Sequence, residues 1–106
     1  MHMKKAIEEV LKFNDERDWH QYHTEENLAK SICIEASELL ECFQWDKPYD
    51  RQAVLDELGD VLNYCILMAH KLDVDMEQVV LDKLVKNAQK YPVDKAKGTA
   101  KKYNKL

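Results

Sequence analysis

The sequence predicts a small all-α protein, a bundle of about four helices. Three observations point there. Only 2 Gly and 2 Pro interrupt 106 residues, so the chain has few places to turn sharply, which favours a few long helices over many short strands. Four stretches carry apolar residues at helical spacing. Residues suited to helix ends, Thr24, Pro48, Asp75 and Pro92, fall between those stretches. At this length one domain over residues 1–106 is expected, with residues 93–106 as a basic C-terminal tail. A core of this size is thin, so assembly as a homo-oligomer is a natural way to bury more surface.

The first helix is expected from about Lys4 to Arg17, with Ile7, Val10 and Leu11 on one face. Asp18 to His23 is polar and aromatic and reads as a connection. Thr24 suits an N-cap, because Glu25 and Glu26 follow in the first turn, where the helix dipole favours acids. The second helix is expected to run to about Trp45, with Leu28, Ile32, Leu39 and Phe43 as its apolar stripe, and to end at Asp46-Lys47-Pro48. The third runs from about Arg51 to Leu72, with Val54, Leu58, Val61, Leu62, Cys65, Met68 and Leu72 facing inward. Asp73 or Asp75 caps the fourth, with Gln78 placed to complete a capping box. That helix continues to about Tyr91, where Pro92 stops it.

Composition excludes several classes. The net charge is −4, so no overall basic field attracts a nucleic acid polymer. No apolar run approaches 18 residues and no secretory segment is visible, so no membrane partner and a cytoplasmic location are expected. Cys33, Cys42 and Cys65 form no Cys-x-x-Cys pair and read as core or near-core thiols of a reducing compartment.

Acids three residues apart share a helix face. Glu35 and Glu38 do so on the second helix, Glu57 and Asp60 on the third. The count alone means nothing, since 20 acids in this length give about four such pairs by chance and the chain has four. Position matters more. Both pairs flank the apolar stripes, so they can face one cleft at the helix seam. Four carboxylates there repel one another unless a cation intervenes, and hard oxygen ligands suit Mg²⁺ or Mn²⁺. A di-iron bundle would need Glu-x-x-His pairs, and none of His2, His20, His23 and His70 follows a Glu at that spacing.

Trp19, Tyr22, His23, Trp45 and Tyr64 lie near these acids in the sequence, and aromatic faces can stack on a nucleobase. On the fourth helix Lys83, Asn87 and Lys90 recur on one stripe that could grip phosphate oxygens. No glycine-rich phosphate loop is present.

The ordered set Glu35-Ala-Ser-Glu38-Leu-Leu-Glu41-Cys-Phe-Gln-Trp45, then Asp56-Glu57-Leu-Gly-Asp60-Val-Leu-Asn-Tyr64, resembles the MazG-like all-α nucleoside triphosphate pyrophosphohydrolases. Its flanks resemble the dCTP pyrophosphatase branch: Arg17-Asp18-Trp19 with His23 and Asn27 before the acids, and Lys83, Asn87, Lys90, Tyr91, Pro92, Val93, Gly98 and Lys102-Tyr103 after them. Two departures are Ser37, where a Gly is common, and Val10, where animal members of the branch carry a His three residues before the Phe.

The resemblance implies an Mg²⁺-dependent hydrolysis of nucleoside triphosphates at the α–β bond, of dCTP or of modified nucleotides. Glu35, Glu38, Glu57 and Asp60 would be metal ligands, with Mn²⁺ a possible substitute. Glu38 and Glu41 would be the catalytic acids. Trp19, His23, Asn27, Trp45 and Tyr64 would hold the base, and Lys83, Asn87, Lys90 and Tyr91 the phosphates. A homodimer or homotetramer is implied. The alternatives are a dUTP or phosphoribosyl-ATP type pyrophosphohydrolase, or a non-catalytic helical interaction module.

Overall fold

A computed structural model describes residues 3–45 and 48–106. The expected helix terminator Asp46-Lys47 therefore lies outside the described residues, although Pro48 is inside. Every regular element among them is helical: α1 (Lys4–Glu16), α2 (Glu25–Glu41), α3 (Arg51–Lys71), α4 (Met76–Lys90) and a single turn, α5 (Val93–Ala96), with short 3-10 turns at His20–Tyr22 and Tyr103–Lys105. No helix among these residues is long and apolar enough to cross a membrane.

The helix starts follow from side-chain caps. Thr24 accepts a hydrogen bond from the Asn27 N–H at 3.1 Å, Asp50 from the Gln52 N–H at 3.0 Å, and Asp75 from the Glu77 N–H at 3.2 Å. Each satisfies an N–H that the helix itself leaves without a partner. The expected capping box does not form, because the Gln78 amide donates forward to Asp82 at 2.7 Å. With so few glycines, two aspartates take the left-handed backbone just past helix ends: Asp18 (φ 53°) and Asp73 (φ 55°). Asp tolerates that conformation better than most residues.

α2 stops at Glu41, four residues before the expected end at Trp45. The N–H groups of Cys42, Phe43 and Gln44 donate three residues back at 3.2, 3.0 and 3.1 Å, the tightened pattern of a helix unwinding at its end. The Phe43 ring then meets Tyr49 at 5.0 Å, which braces the connection to α3. Pro92 does end α4, and it also opens the α5 turn, where no periodic element was expected.

The chain divides into two compact units, Met1–Asp73 and Val74–Leu106. In the first, α2 packs chiefly against α3, and α1 packs on α3 as well. Its core is small: among the described residues, Leu28, Ile66 and Leu67 are the buried apolar ones and Asn14 the buried polar one. This corrects the expected inward stripe of the third helix. Leu58, Leu62 and Leu72 are exposed, while Ile66 and Leu67 turn inward. α3 is apolar on more of its circumference than α1 and α2 can cover, so one flank stays open. Ile34, Leu40 and Phe43 of the α2 region are exposed too. Cys33 is exposed, not near the core, and Cys42 and Cys65 are half-buried free thiols.

In the second unit, the Tyr91 hydroxyl accepts from the Tyr103 N–H at 3.3 Å. The two rings meet edge to face at 6.2 Å, and Lys90 Nζ sits 4.9 Å from the centre of the Tyr103 ring. These contacts fold the tail back on the end of α4.

Candidate metal centre and adjoining cleft

The packing of α2 on α3 turns two one-turn acid pairs into one cluster. Glu35, Glu38, Glu57 and Asp60 each offer a carboxylate oxygen, and all four oxygens lie within 4.8 Å of one another. Such proximity of like charges is unfavourable in itself. Glu35 and Glu57 are half-buried, and Oε2 of each is buried without a hydrogen-bond partner. Desolvation first, then a hydrogen-bonding contact with Glu38 and the charges of Glu38, Asp60 and Glu57, push the Glu35 carboxyl up from 4.5 to about 7. Desolvation and the charge of Glu38 likewise raise Glu57.

Unpartnered buried oxygens, mutual repulsion and an all-oxygen donor set fit a hard divalent cation such as Mg²⁺ or Mn²⁺. Gly59 lies between the two acids' turns with open space around it, so nothing in its surroundings demands a glycine. Glu41 is one turn beyond Glu38 on α2 and is not part of the four-oxygen cluster.

A cleft of about 390 Å³ adjoins the cluster and shares Asp60 with it. Trp19 and Tyr64 line the cleft, Tyr64 one turn after Asp60 on α3. The end of α1 positions Trp19. Asn14 is buried and donates from Nδ2 to the Val10 carbonyl at 2.8 Å, and its own carbonyl accepts from the Trp19 N–H at 3.0 Å. The Trp19 ring meets Phe13 edge to face at 5.7 Å. On the Phe13 ring, in turn, the Arg17 guanidinium carbon lies 3.6 Å from the centroid, a cation–π contact that holds the corner.

Of the five residues expected at a base site, the cleft thus brings together Trp19 and Tyr64. The other three stand outside its lining. His23 packs against His20, with ring centroids 5.8 Å apart. Asn27 donates from Nδ2 to the Tyr22 carbonyl at 2.9 Å, a local tie at the start of α2. Trp45 is exposed past the end of α2.

The cleft is also lined by Glu9, Asn14, Asn63 and Leu67, which sequence reasoning missed, and by Val10 and Phe13, the place on α1 already noted as a departure from the branch. Val10, Phe13 and Asn14 share one face of α1 at helical spacing, and that spacing was the available signal. Lys83, Asn87, Lys90 and Tyr91 all belong to the second unit. There Asn87 is half-buried and its carbonyl accepts from the Tyr91 N–H at 2.8 Å.

Known proteins share this sequence and shape. dCTP pyrophosphatase 1 of Mus musculus is 39% identical over 104 residues, which cover 89% of this chain and 61% of the relative. That of Homo sapiens is 36% identical over the same shares. The chain therefore spans about three fifths of the length of these curated relatives. Among solved structures, a pyrophosphatase from Archaeoglobus fulgidus is 37% identical and superposes with a TM-score of 0.76, covering 87% of this chain and 94% of the other. The family pattern itself runs through both acid pairs and on to the last residue, matching 30–106, and by that match the chain belongs to the MazG-like family.

Proposed function

We propose that this protein hydrolyses nucleoside triphosphates between the α and β phosphates, releasing a nucleoside monophosphate and pyrophosphate. The observation that carries the reading is a four-carboxylate cluster sharing Asp60 with a cleft lined by aromatic rings. One end suits a cation and its phosphate oxygens, the other the flat face of a base. The relatives named dCTP pyrophosphatase support a nucleotide substrate, with dCTP first among those to test.

Glu35, Glu38, Glu57 and Asp60 hold Mg²⁺ in this reading, with Mn²⁺ as a substitute. The bound ion neutralises phosphate charge and makes the attacking water more acidic. Glu38 or Glu41 accepts the proton of that water. Trp19 and Tyr64 orient the base by stacking. Lys83, Asn87, Lys90 and Tyr91 bind phosphate oxygens, with the lysines balancing charge on the leaving pyrophosphate. The many exposed apolar side chains of α2 and α3 support a homodimer or homotetramer, since burying them between subunits would remove them from water.

The test is turnover across dCTP, dUTP, dTTP, dATP and dGTP with Mg²⁺, with the products identified. Pyrophosphate release that stops with chelator is expected. Orthophosphate release, or no turnover of any nucleotide, overturns the reading.

A further inference from the structure

Asn14 is the buried polar residue among the described residues, 6% exposed, and it lines the cleft beside the carboxylate cluster. Glu9, Asp60 and Asn63, which line the same cleft, are all exposed. The Asn14 amide is held at one end. Nδ2 donates to the Val10 carbonyl at 2.8 Å, and because a carbonyl only accepts, the amide nitrogen belongs on that side. Oδ1 is then the atom at the other end. It accepts from no described residue, yet it is not among the sealed side-chain atoms left without a partner, which are His23 Nδ1, Glu35 Oε2 and Glu57 Oε2. Oδ1 therefore keeps an opening, and the cleft is the space that Asn14 borders.

The tie to Val10 is not one the helix needs. The Val10 carbonyl lies inside α1, where a helical N–H already satisfies it, so the extra bond serves the amide by fixing the way it faces. Asn14 also places the ring next to it, since its backbone carbonyl accepts from the Trp19 N–H at 3.0 Å. One residue thus sets a stacking ring and a hydrogen-bond acceptor at the same cleft. A fixed acceptor in a largely dehydrated wall discriminates sharply, because a ligand lacking the matching donor leaves it buried and unpaired. The polar group of cytosine farthest from the sugar is its exocyclic amine, a donor. Uracil and thymine have a carbonyl oxygen in its place, which Oδ1 repels.

We propose that Asn14 is a specificity-determining residue of the cleft: Oδ1 accepts a hydrogen bond from the exocyclic amino group of the base and so selects cytosine over uracil and thymine. This selection rests on the nucleotide hydrolysis proposed above and adds to it the edge of the base that is read. The Glu9 carboxylate, from the same helix, adds to the acceptor character of this wall.

Steady-state kinetics with Mg²⁺ on dCTP, dUTP and a dCTP analogue with hydrogen in place of the amino group tests this. The analogue removes the donor and adds no bulk. The wild type should favour dCTP over both by about tenfold or more in kcat/KM, and Asn14→Leu, which keeps the size of the side chain, should bring both ratios toward one. A merely structural role for Asn14 lowers turnover of all three nucleotides alike and leaves the ratios where they were. The Val10 carbonyl keeps its helical partner in this variant, so the fold should survive, with a melting curve as the check and Asn14→Ala as the replacement if it does not. Wild-type ratios near one overturn the selection, as do ratios unchanged in the folded variant. Turnover of no nucleotide removes the hydrolysis itself and the selection with it, whereas turnover without discrimination removes only the role of Asn14.

Discussion

Glu35 on α2 and Glu57 on α3 face each other across the helix seam, each with one carboxylate oxygen buried and unpaired. The helices bring together two groups that repel, and both carboxyls sit above their ordinary pKa as a result. Such an arrangement persists because hydrophobic packing elsewhere outweighs it, and it sets the terms on which a cation would act.

The first prediction concerns pH. A carboxyl whose folded pKa exceeds its unfolded value favours the folded state when protonated. The contribution of Glu35 is therefore full below about 4.5 and lost as pH rises through about 7. Without divalent ions, the melting temperature should fall over that window. Millimolar Mg²⁺ should largely remove the fall, because it binds the ionised cluster. Differential scanning fluorimetry across pH, with and without Mg²⁺, measures both trends, and identical curves would contradict the metal centre.

Glu57→Gln should separate stability from function. Removing one repelling charge should raise the melting temperature of the metal-free protein at pH 8, while the gain on adding Mg²⁺ shrinks and nucleotide hydrolysis drops. A variant less stable than wild type without metal would show that the cluster is not strained by its charges.

Glu38 touches the shift of both neighbours, and Glu38→Gln should cut turnover on the order of 100-fold or more. A non-catalytic interaction module would show no Mg²⁺-dependent thermal shift for this variant to lose.

Trp19→Ala removes one wall of the cleft and should raise KM roughly 10- to 100-fold with a smaller effect on kcat. Trp19→Phe should recover most of the loss. Steady-state kinetics on the preferred nucleotide distinguishes this from a general loss of folding.

Leu67 is 4% exposed and reaches both the core and the cleft. Leu67→Ala should cost about 2–5 kcal/mol of stability, measured by urea unfolding. By contrast Leu40→Glu, at a side chain 71% exposed, should leave the fold intact. If the open apolar flank is a subunit contact, light scattering of that variant should report a smaller species than wild type.

Particular residues show why some of this was legible in the sequence. Thr24 and Asp75 are caps by residue type, and they start α2 and α4 as expected. The acid pairs and their neighbours lie where helical spacing placed them. The end of α2 was not legible, because Cys42-Phe43-Gln44-Trp45 contains no helix-breaking residue. Nor was the inward face of α3. Its apolar residues cover two flanks, and periodicity does not say which flank meets the chain's own core, so Leu58 and Leu62 were expected inside and Ile66 and Leu67 were overlooked. The cleft was half legible: Trp19 and Tyr64 were named, and helical spacing marks the α1 face of Val10, Phe13 and Asn14, but the corner in which the Asn14 carbonyl holds the Trp19 N–H is not announced by any periodic pattern.

Asp60 has an office no other acid of the cluster holds, since it lines the cleft as well. Two ligands that meet on one side chain do not bind independently. Whatever occupying the cleft does to the affinity of the carboxylates for a cation, the cation must do in equal measure to the affinity of the cleft for its occupant. Asp60→Asn is therefore the substitution at which that reciprocal coupling should change, apart from the strength of either binding event alone.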